Sequence, residues 1–328
     1  MTAFNDVKNK LSLPVIVSPM FIVSTPKLAL ACCREGLVGS FAAHSARSPE
    51  MLESWLEEME FGLRQIQQEQ GLSDVPPYAV NLVVHPSNPR FTGDLDLIMR
   101  YRVPIVLTSK GAPGDVFAKI QSYGGLSLHD VATRRHAEKA LEAGADGLIA
   151  VCGGAGGHTG SINPFALMHE VRKLSRGPVV LAGAISTGQD IFAAEAMGAN
   201  LVYMGTRFIC TEEANAVPAY QDMIFRSSAS DIITTAAIDG APAAFLKESL
   251  LEAGIDLDEL AITRPGAVVS SELTRQRYKT LWSAGHGVGA IHDSPSVNSL
   301  VNRLKDEYET ARIEMIERLT AKPAMEGQ

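Results

Sequence analysis

Pro178-Val-Val-Leu-Ala-Gly-Ala-Ile-Ser-Thr-Gly-Gln-Asp190 and, a short helix later, Met197-Gly-Ala-Asn-Leu-Val-Tyr-Met-Gly-Thr-Arg-Phe208 decide the fold. The run Pro178–Ala182 is apolar at every position, as in a strand buried on both faces; a half-exposed antiparallel strand would alternate. Thr187-Gly-Gln-Asp190 has the spacing of a capping box with Asp in place of the usual Glu, so a helix starts there. Gly198-Ala199 closes that helix, and Leu201–Met204 reads as the next strand. Strand, helix, strand in about thirty residues is the unit of a parallel sheet.

The unit repeats outward along the chain. Candidate strands are Pro14–Ser18, Leu37–Phe41, Tyr78–Val83, Pro104–Thr108, Gly124–Leu128, Gly147–Val151, Pro178–Ala182 and Leu201–Met204. That is about eight, the number a (β/α)8 TIM barrel needs. Ser48-Pro49-Glu50 reads as an N-cap with Pro at the first helical position, and Ala132–Ala143 as a helix closed by Gly144. Gly36-Leu37, Gly144-Ala145 and Gly198-Ala199 repeat one αβ loop design, which implies right-handed crossovers. The sequence therefore predicts an α/β barrel over residues 1–210 and 290–328. A mainly helical extension, residues 211–289, is inserted after the eighth strand and covers the barrel mouth. Ser294–Thr320 is the expected closing helix.

The chain has 328 residues, more than a typical domain but suited to one barrel with an insertion. A hydrophobic fraction of 46% and a charged fraction of 20% allow a sizeable core and exclude global disorder. Twenty-nine basic residues against 37 acidic ones give a net charge of -8, which excludes a general nucleic-acid binder. Positive potential for an anionic substrate must then be local. No apolar run approaches the ~18–20 residues of a membrane span, and MTAFNDVKNKLSLP lacks a basic-then-apolar secretion pattern. Cys32, Cys33, Cys152 and Cys210 form no CxxC pair. That argues against a disulfide framework or a metal site and predicts a cytoplasmic protein.

Chemistry in such a barrel belongs at the C-terminal ends of the strands. The loop after the sixth strand reads Val151-Cys-Gly-Gly-Ala-Gly-Gly-His-Thr-Gly160. Its glycines let backbone pass close to a flat or bulky ligand, and His158 is its one imidazole. Thr159 stands where a G-x-G-x-x-G fingerprint needs its last glycine, so a dinucleotide site of that type is rejected. Ala182-Gly-Ala-Ile-Ser-Thr187 and Met204-Gly-Thr-Arg-Phe208 follow the seventh and eighth strands, the usual phosphate-holding loops of a barrel. Gly183, Gly205 and Thr206 suit that task. Pro19 and Met20 end the first strand, and Met20 offers a soft surface for an aromatic ring. Asn81 is an amide among apolar neighbours that needs partners. His129 and Asp130 close the fifth strand, one of them facing the site. Ser283, in Trp282-Ser-Ala-Gly-His-Gly-Val-Gly289, reaches the site if the extension folds back. Cys210 and His136 read as structural.

Taken together, Pro14-Val-Ile-Val-Ser-Pro-Met20, Ala79-Val-Asn-Leu82, Gly154-Ala-Gly-Gly-His-Thr-Gly160, Leu181-Ala-Gly-Ala-Ile185, Tyr203-Met-Gly-Thr-Arg-Phe208 and Trp282-Ser-Ala-Gly285 resemble the nitronate monooxygenase family, FMN-dependent TIM-barrel enzymes. The resemblance covers nearly the whole chain in family order. It implies FMN in the mouth, with its phosphate on Ala182, Gly183, Ala184, Gly205 and Thr206. It implies the ring near Pro19, Met20, Phe21 and Asn81, with Gly156 and Gly157 alongside. His158 matches the family histidine that acts at the substrate, and Ser283 a serine of the substrate pocket. Asp130 stands where some quinone-reducing relatives carry a flavin-contacting Lys, and His286 where they carry an apolar residue. The implied activity is oxidation of alkyl nitronates or nitroalkanes with O₂ to carbonyl compounds and nitrite. An NAD(P)H-dependent reductase of quinones or enoyl thioesters on the same barrel is the alternative; the sequence does not give the oligomeric state, and a homodimer is one assembly to test for.

Overall fold

Eight short parallel strands carry the structure, a computed structural model that describes residues 2–72, 74–86, 88–111, 114–238, 240–262 and 280–321. They are β1 (Val15–Val17), β2 (Ser40–Ala42), β3 (Ala79–Val83), β4 (Ile105–Ser109), β5 (Leu126–Val131), β6 (Gly147–Val151), β8 (Val179–Ala182) and β9 (Leu201–Met204). A two-residue strand, β7 (Gly157–His158), lies in the loop after β6. The eight run in the order β1-β9-β8-β6-β5-β4-β3-β2, and a parallel bridge between Ile16 and Val38 closes the ring. This is a (β/α)8 TIM barrel.

Alternation sorts the strand residues into two cores. Ile16, Val38, Ala79, Ile105, Leu107, Leu126, Leu128, Ile149, Val180 and Leu201 point inward and pack with Phe4 and Val7 of the helix Thr2–Lys8. Val15, Val17, Leu148, Ala150, Val179, Leu181 and Val202 point outward against Leu28, Leu167, Ile191 and Val301 of the surrounding helices. Thr187 and Asp190 form the expected capping box at the helix Gly188–Ala196. The closing helix runs Val297–Thr320 with Ser296 as its N-cap.

Two strand boundaries differ from the sequence reading. Gly124 has φ +87°, so it turns the chain after the helix Val116–Ser122, and β5 instead continues through His129 and Asp130 to Val131. The second strand starts at Ser40, because Val38 pairs only through the single bridge to Ile16. The segment after β9, read as mainly helical, has the helices Pro218–Phe225, Lys247–Glu252 and Leu257–Ile262. It also contains β10 (Ile232–Thr235) and β11 (Ala243–Leu246), paired antiparallel. β11 then pairs with β7, setting Ala243 opposite His158 and Ala244 opposite Gly157. Residues 263–279 of the extension and 322–328 of the closing segment lie outside the described residues. Among the described residues no helix is long and apolar enough to cross a membrane.

Candidate active site

The barrel interior changes character toward the C-terminal ends of its strands. Below, it is aliphatic; the next inward positions up are Asn81, Asp130 and Tyr203 on β3, β5 and β9. Strand alternation alone places them there, two residues beyond Ala79, Leu128 and Leu201. Asn81 is buried and donates from Nδ2 to the Leu107 carbonyl (2.9 Å) and to Ser109 Oγ (3.2 Å), tying β3 to β4. The Tyr203 hydroxyl is hydrogen-bonded to Ser18 just past β1. Asp130 is half-buried, and its Oδ1 is enclosed without a hydrogen-bond partner.

Three loops and one strap close over this layer. The β6 loop meets the β8 loop where Ala184 N–H donates to the Gly154 carbonyl (3.2 Å). The strap Trp282–Gly287 crosses both: His286 N–H donates to the same carbonyl (2.9 Å), and Gly285 N–H donates to Thr206 Oγ1 (2.9 Å) after β9. Packing is so close that a Cβ on Gly156 would stand 2.8 Å from Gly285 N, and one on Gly285 2.5 Å from the Gly154 carbonyl. Gly183 and Ala184 adopt positive φ, +143° and +55°. Gly205 lies against Ser18 and Met20, 3.2 and 3.6 Å from where its Cβ would be. The structure thus brings Met20, Gly156, Gly157, Gly183, Ala184, Gly205, Thr206 and Ser283 into one assembly of loops. Ala182 is the last residue of β8, and Pro19 follows the end of β1. Asn81 stands on β3, which the strand order sets across the ring from β8. Phe21 stacks on His44, with ring centroids 5.2 Å apart.

His158 is held from above. β7 has only two residues, and its pairing to β11 fixes the imidazole-bearing backbone, helped by Thr159 N–H donating to the Pro242 carbonyl (3.1 Å). Thr159 Oγ1 donates back to the Cys152 carbonyl (3.0 Å), which anchors the loop at its root. Ser283 is positioned by its neighbours. Trp282 stacks on Tyr220 at 5.1 Å, the Tyr220 hydroxyl donates to the Ser283 carbonyl, and Trp282 N–H donates to Ser249 Oγ (2.7 Å). Ser283 Oγ itself is buried without a partner, as is Ser186 Oγ in the β8 loop.

The helix after the β8 loop is already satisfied at its N-terminus. Asp190 Oδ2 accepts from Ser186 and Thr187 N–H, both at 2.9 Å, and Glu307 accepts from Gly188 N–H (2.7 Å). An anion at this mouth must therefore be met by the loops rather than by that helix end. Arg207 of the Met-Gly-Thr-Arg-Phe stretch is structural: it is buried and paired with Asp293 (2.8 Å), which Arg303 also holds (2.6 Å).

Burial governs the titrations around the mouth. It pushes Asp130 up to about 7 and Tyr203 well above the usual phenol range, the latter with help from the nearby Asp130 charge. It pushes His129 down to about 4. His129 points outward to Thr108 Oγ1 (2.7 Å) and the Phe117 ring, so of the pair at the end of β5 it is Asp130 that faces the mouth. Cys152 and Cys210 are buried and pushed up to about 12, as packed thiols should be. Tyr203 and Ser186 were not singled out in the sequence. For Tyr203 the signal was the period of two along Leu201–Met204; for Ser186 there was none, because its enclosure depends on Gly287 packing over it.

The family model for nitronate monooxygenase matches residues 5–307. The chain belongs to the nitronate monooxygenase family. It is a flavin-dependent oxidoreductase. A nitronate monooxygenase of Paraburkholderia phytofirmans is 30% identical over 277 residues, 74% of this chain and 76% of that protein. A (3aS,4S,5R,7aS)-5-hydroxy-7a-methyl-1-oxo-octahydro-1H-indene-4-carboxyl-CoA dehydrogenase of Rhodococcus jostii is 27% identical, over 83% of this chain and 74% of that one. The match to a putative monooxygenase of Mycobacterium tuberculosis, 26% identical over 65% of this chain, spans 61% of that protein's length. Among solved structures, FabK of Thermotoga maritima aligns with a TM-score of 0.75 at 27% identity, over 96% of this chain and 97% of that one. The mouth fits what the nitronate monooxygenase family implies. Asp130 Oδ1, Ser186 Oγ and Ser283 Oγ are enclosed there with no protein partner, and a polar, flat ligand would supply the missing ones.

Proposed function

We propose that the protein binds FMN at the barrel mouth and oxidises alkyl nitronates, or nitroalkanes deprotonated in the site, with O₂ to carbonyl compounds and nitrite. The observation that carries this reading is the fixing of β7 by β11, which holds His158 at a mouth containing enclosed oxygens without partners. When bound, FMN supplies the electron transfer. The chain supplies position and charge. Gly183, Gly205 and Thr206, with Ala182 and Ala184, hold the phosphate through loop backbone and the Thr206 hydroxyl. Pro19, Met20, Phe21 and Asn81 line the ring with Asp130, and Gly156 and Gly157 let backbone approach it. An imidazole nitrogen of His158 takes the α-proton of a neutral nitroalkane or, protonated, orients the nitro oxygens of a nitronate. Ser283 Oγ donates to a nitro oxygen.

Replacing His158 tests this. His158→Asn keeps the flavin, read from the visible spectrum, while turnover of a nitroalkane falls by ~10²-fold or more. An unchanged rate removes His158 from the mechanism. The FabK structure and the carboxyl-CoA dehydrogenase relative favour a second reading, an NAD(P)H-dependent reductase of quinones or enoyl thioesters. Anaerobic mixing separates the two. Rapid bleaching of the flavin by NAD(P)H, with little reaction of nitronate and O₂, selects the reductase.

A further inference from the structure

Among the described residues, Asp130 is the one acidic side chain in the inward-facing layer at the mouth that the family resemblance does not explain. Along β5, Leu126 and Leu128 point into the barrel, while His129 and Val131 pack outward, so Asp130 points inward at the top. Its Oδ1 is enclosed and accepts no hydrogen bond. Among the described residues it enters no ion pair. The groups around it are few. Tyr203 faces it from β9, held by Ser18. β4 ends beside it in Ser109, with Lys110 exposed to solvent beyond, and β6 ends in the aliphatic Val151. His129 faces away, and among the described residues His158 on β7 and His286 on the strap, beside Gly154, are further titratable side chains of the mouth.

An ionised carboxylate that is half-buried, with one oxygen enclosed and neither a donor nor a cation beside it, is costly, and the protein avoids that cost by keeping the proton. We propose that Asp130 meets the bound flavin ring as a neutral carboxylic acid: Oδ1 stays enclosed, and Oδ2, the oxygen left open to the mouth, carries the proton and donates it in a hydrogen bond to an acceptor atom of the ring. The inference rests on the flavin reading above. It gives Asp130 a second consequence: a neutral acid presents a donor to the site without repelling an anionic nitronate, whereas its carboxylate would repel one.

Linkage makes this measurable. Burial holds the empty-site carboxyl near 7. A ligand that accepts its hydrogen bond binds the protonated form, so filling the mouth raises that value further. Between the empty-site value and the higher filled-site one, affinity must weaken as pH rises, by up to about tenfold per pH unit. The experiment measures FMN dissociation from the full chain by flavin fluorescence between pH ~6 and ~9, for wild type and Asp130→Asn. Taking the ratio at each pH cancels the titration of the FMN phosphate. The expected ratio is constant below about 7 and then climbs, because only the wild type loses its donor. Infrared spectra of the holoprotein should show a protonated carboxyl carbonyl band in wild type that Asp130→Asn lacks. Should Asp130→Asn fail to fold, Asp130→Ser gives the same comparison. A ratio that is flat across the range, or a carboxyl band unchanged in the variant, overturns the role of Asp130 and leaves the flavin reading standing. A wild-type chain that binds no FMN at any pH overturns both.

Discussion

Gly183 has φ +143° and faces Gly153, whose carbonyl would stand 3.2 Å from an added Cβ. Only glycine takes that backbone region without strain, so the β8 loop keeps its path over the mouth by having no side chain there. Gly183→Asp adds both strain and a negative charge where the proposed phosphate rests. Flavin retention should drop by ~10-fold or more, the scale of 1–3 kcal/mol of local strain. The ratio of flavin to protein absorbance after gel filtration measures it, and full occupancy would sink the phosphate assignment. Residues such as Gly183, Asn81 and His158 were legible in the sequence, because each is the odd chemistry in an otherwise apolar or glycine-rich run. Tyr203 was hidden inside a strand that reads as plain core. Ser186 was hidden more deeply, since its hydroxyl is enclosed by the strap around Gly287 from a hundred residues away.

Between elements, the helix Gly188–Ala196 packs closely on the closing helix Val297–Thr320. A Cβ on Gly188 would sit 2.2 Å from the Leu304 carbonyl oxygen and 2.4 Å from Tyr308 N. Both are backbone atoms of a helix, so neither can give way without moving the whole element. Gly188→Ala should destabilise the protein by about 1–3 kcal/mol through overpacking. A urea melt of the variant measures this; an unchanged midpoint would mean that the two helices do not pack as described. The barrel strands were legible as elements because continuous apolar runs bounded by Gly and Pro have few other readings. Their ends were less so. Gly124 looked like the start of β5 but is a left-handed turn, which moved the strand end onto Asp130. β7 was invisible: a two-residue strand has no period, and it exists only because β11 pairs with it.

Over the whole molecule, His129 and Asp130 pull the pH dependence of stability in opposite directions. Native His129 stays neutral down to about 4, so between about 4 and its ordinary value near 6.5 the unfolded chain binds a proton that the native one refuses. Stability due to His129 therefore falls as pH falls. Native Asp130 keeps its proton up to about 7 while the unfolded chain loses it near 3.8, so stability due to Asp130 falls as pH rises. Each slope is about 1.4 kcal/mol per pH unit at most, and in the shared window they offset one another. Removing one should expose the other. In flavin-free Asp130→Asn, stability relative to wild type should decline as pH is lowered from about 6.5 toward 4, and in His129→Gln it should decline as pH is raised through the same range. Urea melts at a series of pH values read both slopes. Parallel curves for wild type and both variants would show that neither group titrates as described.

The sequence by itself determined the barrel, its strand count, the glycine-rich loops at its strand ends and the family to which the chain belongs. These follow from local rules: apolar runs make buried strands, glycine-closed helices return the chain in register, and the mouth always lies at the strand C-termini. The tertiary structure alone decided what each mouth residue meets. It fastened His158 to a strand from the extension, drew the 282–287 strap through Thr206 and Gly154, answered one helix end with Asp190 and Glu307, and left Asp130 Oδ1 enclosed without a donor. Those outcomes depend on contacts between segments far apart in the chain, and burial and hydrogen-bond satisfaction exist only once such segments have met.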